Sequence, residues 1–186
     1  VLGSRAYNPQ QVALICERLA PHNALATEIA YTAGLRAHEL LTLQPRSERT
    51  PDPRPALPTK FEGREDGSRY VVTGKGGLIR EVQLPSHLAA RLEAQRLATP
   101  RPVTDRHVYY QQHYAIGGGQ PWSMAVSRAA KAALGWSTGA HGLRHAYAQE
   151  RVTELQTLEH SQKVANETVS QELGHFRPEI TTTYLR

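Results

Sequence analysis

Apolar residues recur at three- and four-residue intervals along most of this chain and alternate with polar ones in one short stretch, which predicts helices interrupted by a hairpin. Asn8-Pro9 reads as an N-cap followed by proline at the first helical position. Val12, Ile15, Cys16 and Leu19 then form one apolar stripe, predicting a helix over 9–20. Asn23 is placed to cap a second helix over 24–33, and Gly34 supplies the left-handed stop that leaves Arg36 at a helix junction. Tyr70-Val71-Val72-Thr73 and the run Ile79 to Leu84 flank Gly74 to Gly77, predicting a β-hairpin with Lys75 in its connection. Ser86 and Ser123 read as caps of helices running to about Leu97 and to Leu134, with 109–121 as turn and loop between them. Residues 141–158 and 162–173 read as further helices, the second closed by Gly174, after which Pro178 opens a short final helix. The segment 45–67 is rich in Pro, Arg, Asp and Glu without sustained periodicity and reads as a surface excursion. The expected fold class is mainly α with a small antiparallel β-sheet, an α+β domain without internal repeats.

Length and composition narrow this modestly. At 186 residues the chain buries one full core, and the prior is a single domain. A net charge of +5 and a pI near 9.6 suit a polyanion, though many proteins without one share that balance. The one cysteine, Cys16, lies in the first apolar stripe and reads as a small buried side chain, so no disulfide forms within the chain. No apolar run approaches a membrane span and the N-terminus lacks a signal pattern, so an intracellular, soluble protein is expected.

Four motifs carry the chemistry. They are Gly34-Leu35-Arg36-Ala37-His38-Glu39, Thr73-Gly74-Lys75-Gly76-Gly77, Ala140-His141-Gly142-Leu143-Arg144-His145, and Leu173-Gly174-His175 with Tyr184 nine positions on. Phosphodiester cleavage by a side chain needs in-line attack, neutralisation of the charge building on the non-bridging oxygens, and a proton for the leaving oxygen. Tyrosine, with an ordinary pKa of about 10, attacks only when nearby positive charge or a base helps remove its proton. His141 and Arg144, three apart at a helix start, share a face where unpaired backbone N–H groups and the helix dipole also favour an anion. Arg36 would add a second planar, permanently charged fork for phosphate oxygens. Lys75 offers an ammonium on a glycine-flanked turn, able to protonate the leaving oxygen.

Taken in this order, the motifs resemble the catalytic domain of the tyrosine recombinase, or phage integrase, family over residues 7–186. The resemblance implies that 1–186 is a single catalytic domain, excised from a longer recombinase whose core-binding domain precedes it. It implies Arg36 and Arg144 as catalytic arginines, Lys75 as general acid, His141 assisting the tyrosine proton, His175 bonding the phosphate, Glu39 supporting the arginines and Tyr184 as nucleophile. The product would be a 3′-phosphotyrosyl link and a free 5′ hydroxyl, whose reversal rejoins strands without metal or nucleotide cofactor. Double-stranded DNA is the implied partner, with self-association into a tetrameric synapse in the full-length protein and no membrane. The implied setting is bacterial cytoplasm, at the nucleoid, with integration or excision of a mobile element as the task. Two stretches exceed the family pattern: 45–67, and Arg144 to His175, which is longer by roughly two helical turns.

Other readings stay open at this point. His145, four after His141, is taken as a satisfied core or supporting histidine, because a zinc helix would carry Glu where Gly142 stands. Trp122, Trp136, Tyr109, Tyr110 and Tyr114 are taken as packing residues and given no function. A type IB topoisomerase-like relaxation activity, a non-catalytic DNA-binding regulator on the same scaffold, and a metal-dependent nuclease are the rival functions.

Overall fold

The structure is a computed structural model describing residues 4–175 and 182–186. The expected helix opening at Pro178 lies outside the described residues, while Thr182–Leu185 forms a 3-10 turn. The first two helices, α1 (Pro9–Glu17) and α2 (Pro21–Ala33), are joined by a short turn. Asn8 and Gln11 cap α1 reciprocally, as the Asn8-Pro9 start predicts. Asn23 does not cap α2. That helix begins two residues earlier at Pro21, whose fixed φ suits a first position, and the Asn23 carbonyl accepts from the Thr27 hydroxyl at 2.8 Å. Gly34 ends α2 with φ 72, and a Cβ there would lie 2.8 Å from Leu173 and 2.9 Å from Tyr147, so both conformation and space require glycine.

The strands β1 (Gln44–Pro45), β2 (Gly67–Thr73) and β3 (Ile79–Pro85) form an antiparallel sheet in that order, with Thr73 opposite Ile79. The predicted hairpin is present, and Lys75 sits exposed in its 3-10 turn, Lys75–Gly77.

The next stretch departs from expectation. The helix α3 (Ser86–Glu93) stops short of Leu97, and Ser86 makes no cap bond. A second, separate hairpin follows, β4 (Arg96–Asp105) and β5 (Val108–Tyr114), where 109–121 was expected to be loop. Pro100 and Pro102 hide β4 in the sequence, but a two-stranded ribbon has only edges, where proline removes no obligatory bond. Ser123 likewise caps nothing. The helix α4 (Gly119–Leu134) starts four residues before it, and the Asp105 carboxylate from the hairpin end accepts from the Gln120 N–H at 2.8 Å.

Two long helices complete the chain, α5 (His141–Thr157) and α6 (Gln162–Leu173), the latter capped by Ser161 and ended by Gly174 at φ 80. One apolar core joins α1, α2 and α4 to the β1–β3 sheet through Ile15, Ile29, Trp122, Val126, Val72 and Leu84. A second lies between α5 and α6, built on Tyr147, Leu155, Val169 and Leu173, with Tyr184 and Leu185 packed against it. Trp122 and Tyr114 are buried as expected, whereas Tyr109 is 85% exposed and Trp136 38%. Among the described residues no helix is long and apolar enough to cross a membrane.

The excursion after β1 is exposed over most of its length, yet it is fastened to α6. Leu57 N–H donates to Gln171 at 2.9 Å, Thr59 and Thr168 share a 2.6 Å hydroxyl bond, and Phe61 N–H donates to the buried Glu172 at 2.7 Å. Glu172 also accepts Tyr147 Oη and two N–H groups of Arg151, each at 2.8 Å, and both side chains of that ion pair are inaccessible to solvent. Removing one member of such a pair strands the other without water. Glu172→Ala is therefore expected to cost about 3–5 kcal/mol, read from the urea unfolding midpoint.

Candidate active site

Glu39 occupies the centre. It opens the 3-10 turn Glu39–Thr42 that follows the α2 junction, and its side chain is fully buried. Arg80 of β3 grips it with two bonds, Nη2 to Oε1 at 2.8 Å and Nε to Oε2 at 3.1 Å. The Arg36 backbone N–H donates to Oε1 at 2.8 Å, and the Arg36 guanidinium lies 3.6 Å from Oε2. Arg144 stands 3.9 Å away on the remaining side. Burial alone would raise this carboxyl, but Arg80, then Arg144 and Arg36, override it and hold the pKa at about 2.

Arg144 projects from the first turn of α5 and is 1% exposed. Tyr7 fixes that helix start: its hydroxyl donates to the Gly139 carbonyl at 2.9 Å and accepts from Thr138 N–H at 3.0 Å. Its ring approaches Gly142 so closely that a Cβ there would lie 2.5 Å from it. The Arg144 guanidinium donates to the Gly34 carbonyl at the end of α2 and, at 3.4 Å, to the Leu173 carbonyl at the end of α6. These are carbonyls that a helix leaves unpaired, at the negative end of its dipole. Burial and Arg36 pull the Arg144 pKa down to about 10, which leaves it cationic at neutral pH.

Tyr184 meets this arginine. The Arg144 guanidinium carbon lies 5.0 Å from the centre of the tyrosine ring, and the His175 and His145 rings lie 5.5 and 4.9 Å from it. His175 Nε2 is also 3.3 Å from Arg144 Nη2. The turn bearing Tyr184 packs along α5, and the Arg186 carbonyl accepts from Arg5 N–H at 3.1 Å and from Gln149 at 3.0 Å. His145, expected to be a satisfied core or supporting histidine, is buried beside Tyr184, and its Nδ1 has no hydrogen-bond partner among the described residues. Its ring packs against Tyr184, and burial lowers its pKa.

In front of Arg144 opens a cavity of about 1120 Å³ whose walls include Arg36, Lys75, His141 and the tip of the second hairpin. Lys75 and His141 thus face the same space as both arginines, while Tyr184 and His175 approach Arg144 from the α6 side. Burial, followed by Arg144 and Arg36, lowers the pKa of both His141 and His175, the latter to about 4. Both imidazoles are therefore neutral at neutral pH. Among the described residues no cluster of His, Cys, Asp and Glu is arranged to hold a metal ion.

Comparison of the fold gives the setting for this cluster. The XerH site-specific recombinase in a post-cleavage complex with palindromic difH superimposes with TM-score 0.60 at 18% identity, over 98% of this chain and 49% of that one. Its pre-cleavage complex gives 0.59 at 17%, over 100% and 52%. The Tn1549 transposon integrase with transposon right-end DNA gives 0.57 at 13%, over 100% and 62%. The fold is that of a tyrosine-recombinase catalytic domain. This chain spans about half the length of the XerH chains. No family model and no curated protein matches the sequence.

Within this tyrosine-recombinase fold the sequence motifs converge, but one central residue was missed. Arg80 belongs to none of the four motifs, yet it shares a strand face with Val82 and Leu84, and all three are buried. A charge in phase with inward-facing apolar positions was the available signal. Besides Glu39, Arg80 bonds the Glu172 carbonyl at 2.7 Å, tying the site to α6.

Ionised Glu39 stabilises the fold in a pH-dependent way. Its ionisation contributes stability that is fully present above the ordinary value of 4.5 and is lost as pH falls toward about 2. Urea midpoints of the wild type and Glu39→Gln should therefore differ most at neutral pH and converge across that window. Parallel profiles would refute the charge assignment.

Proposed function

We propose that this chain cleaves and rejoins duplex DNA through a covalent phosphotyrosyl intermediate, as a site-specific recombinase. The observation that carries the reading is the contact between Tyr184 and the Arg144 guanidinium, beside a cavity shared by Arg36, Lys75 and His141. A tyrosine there meets the positive charge that makes a phenol a nucleophile. The neighbouring structures, XerH and the Tn1549 integrase, are DNA complexes, which supports DNA as partner.

In the proposed reaction the Tyr184 oxygen attacks the scissile phosphorus, forming the 3′-phosphotyrosyl bond as the bond to the 5′ oxygen breaks. The tyrosine proton passes to His141, whose lowered pKa keeps it neutral and able to accept. Lys75 on its exposed turn gives a proton to the leaving 5′ oxygen. Arg36 and Arg144 take the non-bridging oxygens, with His175 as a further hydrogen-bond partner and Glu39 holding both arginines in place. The long 3.4 Å bond from Arg144 to the Leu173 carbonyl is the one most readily exchanged for a phosphate oxygen. The neutral imidazole of His145 against Tyr184 keeps the ring oriented. Reversal by a 5′ hydroxyl rejoins strands, and no step asks for a metal.

The same reading implies bacterial cytoplasm as the setting, a mobile element as the target and self-association on DNA. The test is a trap: nicked duplexes that release a short fragment on cleavage, in chelator and low salt, with wild type and Tyr184→Phe. A covalent adduct is expected on Tyr184 for the wild type and none for the variant. Arg36→Ala and Arg144→Ala should lower adduct yield by about a hundredfold or more. DNA binding without adduct, even from a full-length chain on its own site, would favour a silent DNA-binding regulator. Supercoil relaxation independent of site would favour the topoisomerase-like alternative.

A further inference from the structure

The β4–β5 hairpin has features that the proposed chemistry leaves unused. Its tip is a two-residue turn, Arg106 and His107, with φ 49 and 67. Positive φ at both positions is the signature of a tight hairpin turn normally filled by Asn-Gly, because other side chains strain there. Here the strained positions carry a guanidinium and an imidazole, both exposed. The two residues after them are apolar and also exposed, Val108 by 50% and Tyr109 by 85%.

This tip is an arm held at a fixed place. Asp105 at its end caps α4, Arg101 bonds Gln112 across the strands at 2.8 Å, and Tyr114 at its base bonds Glu93 at 2.8 Å. Arg106 and Tyr109 line the same cavity as Arg36, Lys75 and Arg144. Asp105 is the one carboxylate among that cavity's described lining residues, and the Gln120 N–H already occupies one of its oxygens. The wall between tip and arginines is therefore strongly cationic, which suits a continuous polyanion and repels a basic partner.

We propose that the β4–β5 tip is a second DNA-contacting element, with Arg106 pairing to a backbone phosphate beside the scissile one and Tyr109 packing on the sugars and base edges of the adjoining groove. This rests on the recombinase reading, since it takes DNA as the occupant of the cavity. The tip and the Lys75 turn, both lining the cavity of Arg36 and Arg144, then share the hold on the duplex. Glycine or asparagine, easier in that turn, could not make the phosphate contact, which gives the strained arginine a role.

The test measures fluorescence anisotropy of a labelled mixed-sequence duplex across a salt series for wild type, Arg106→Gly and Tyr109→Ala, with the thermal midpoint of each protein and its sedimentation without DNA. Arg106→Gly should be as stable as wild type or more so, yet bind about tenfold more weakly, with a salt slope shallower by about one. Tyr109→Ala should fold normally and lose about fivefold in affinity with an unchanged slope. Wild-type affinity and slope in both variants would overturn the inference while leaving the recombinase reading intact. Altered sedimentation without altered DNA affinity would also overturn it, assigning the tip to contact with a second copy of the chain. Failure of the wild type to bind any duplex would remove the recombinase reading and this inference together.

Discussion

One buried carboxylate holds this site together. Glu39 is closed off from water, so its charge is tolerable only because arginines surround it, and their crowding is tolerable only because it is there. Arg80 spends a two-bond grip on it, Arg36 is tied through its backbone, and Arg144 closes the ring from α5. The three cations come from the α2 junction, β3 and α5. A single acidic side chain thereby fixes the relative placement of the sheet and the helix that carries Arg144.

A second buried pair, Arg151 with Glu172, stands behind the first and is joined to it by Arg80, which donates to the main-chain carbonyl of Glu172. Through Phe61, whose N–H reaches the same Glu172 carboxylate, the excursion after β1 becomes part of this framework. Its irregular backbone is exposed, but its bonds to Thr168, Gln171 and Glu172 brace the last turns of α6. Gly174 and His175 follow directly, so the excursion bears on the position of a residue against Tyr184. It reads as a surface loop in the sequence because nothing in its own composition reveals where its amides go.

The features legible in the sequence are those whose cause is local. The Asn8-Pro9 start, the Gly34 stop, the Lys75 turn and the α5 start at His141 each follow from residues a few positions apart, and the structure has all four. Expectations failed where a distant residue took over a local role. Asp105 caps α4 in place of Ser123, and prolines mask β4, which gains its partner only once the ribbon folds. Arg80 was hidden for the same reason, since its partner Glu39 lies 41 positions away. The contact of the His145 ring with Tyr184 is likewise a property of the packed site and has no trace in a spacing rule.

Three guanidinium groups share one carboxylate, an excess of two positive charges, and the lowered pKa values of His141 and His175 keep the imidazoles out of that count at neutral pH. A phosphodiester carries one negative charge, whereas the five-coordinate phosphorus formed by tyrosinate attack carries two. The buried centre thus exceeds the single charge of the intact strand's phosphate, and its second positive charge faces the negative charge that develops as the tyrosine attacks. Such a site favours the species through which the strand must pass over the strand itself, which adds electrostatic stabilisation to the proposed proton transfers at His141 and Lys75.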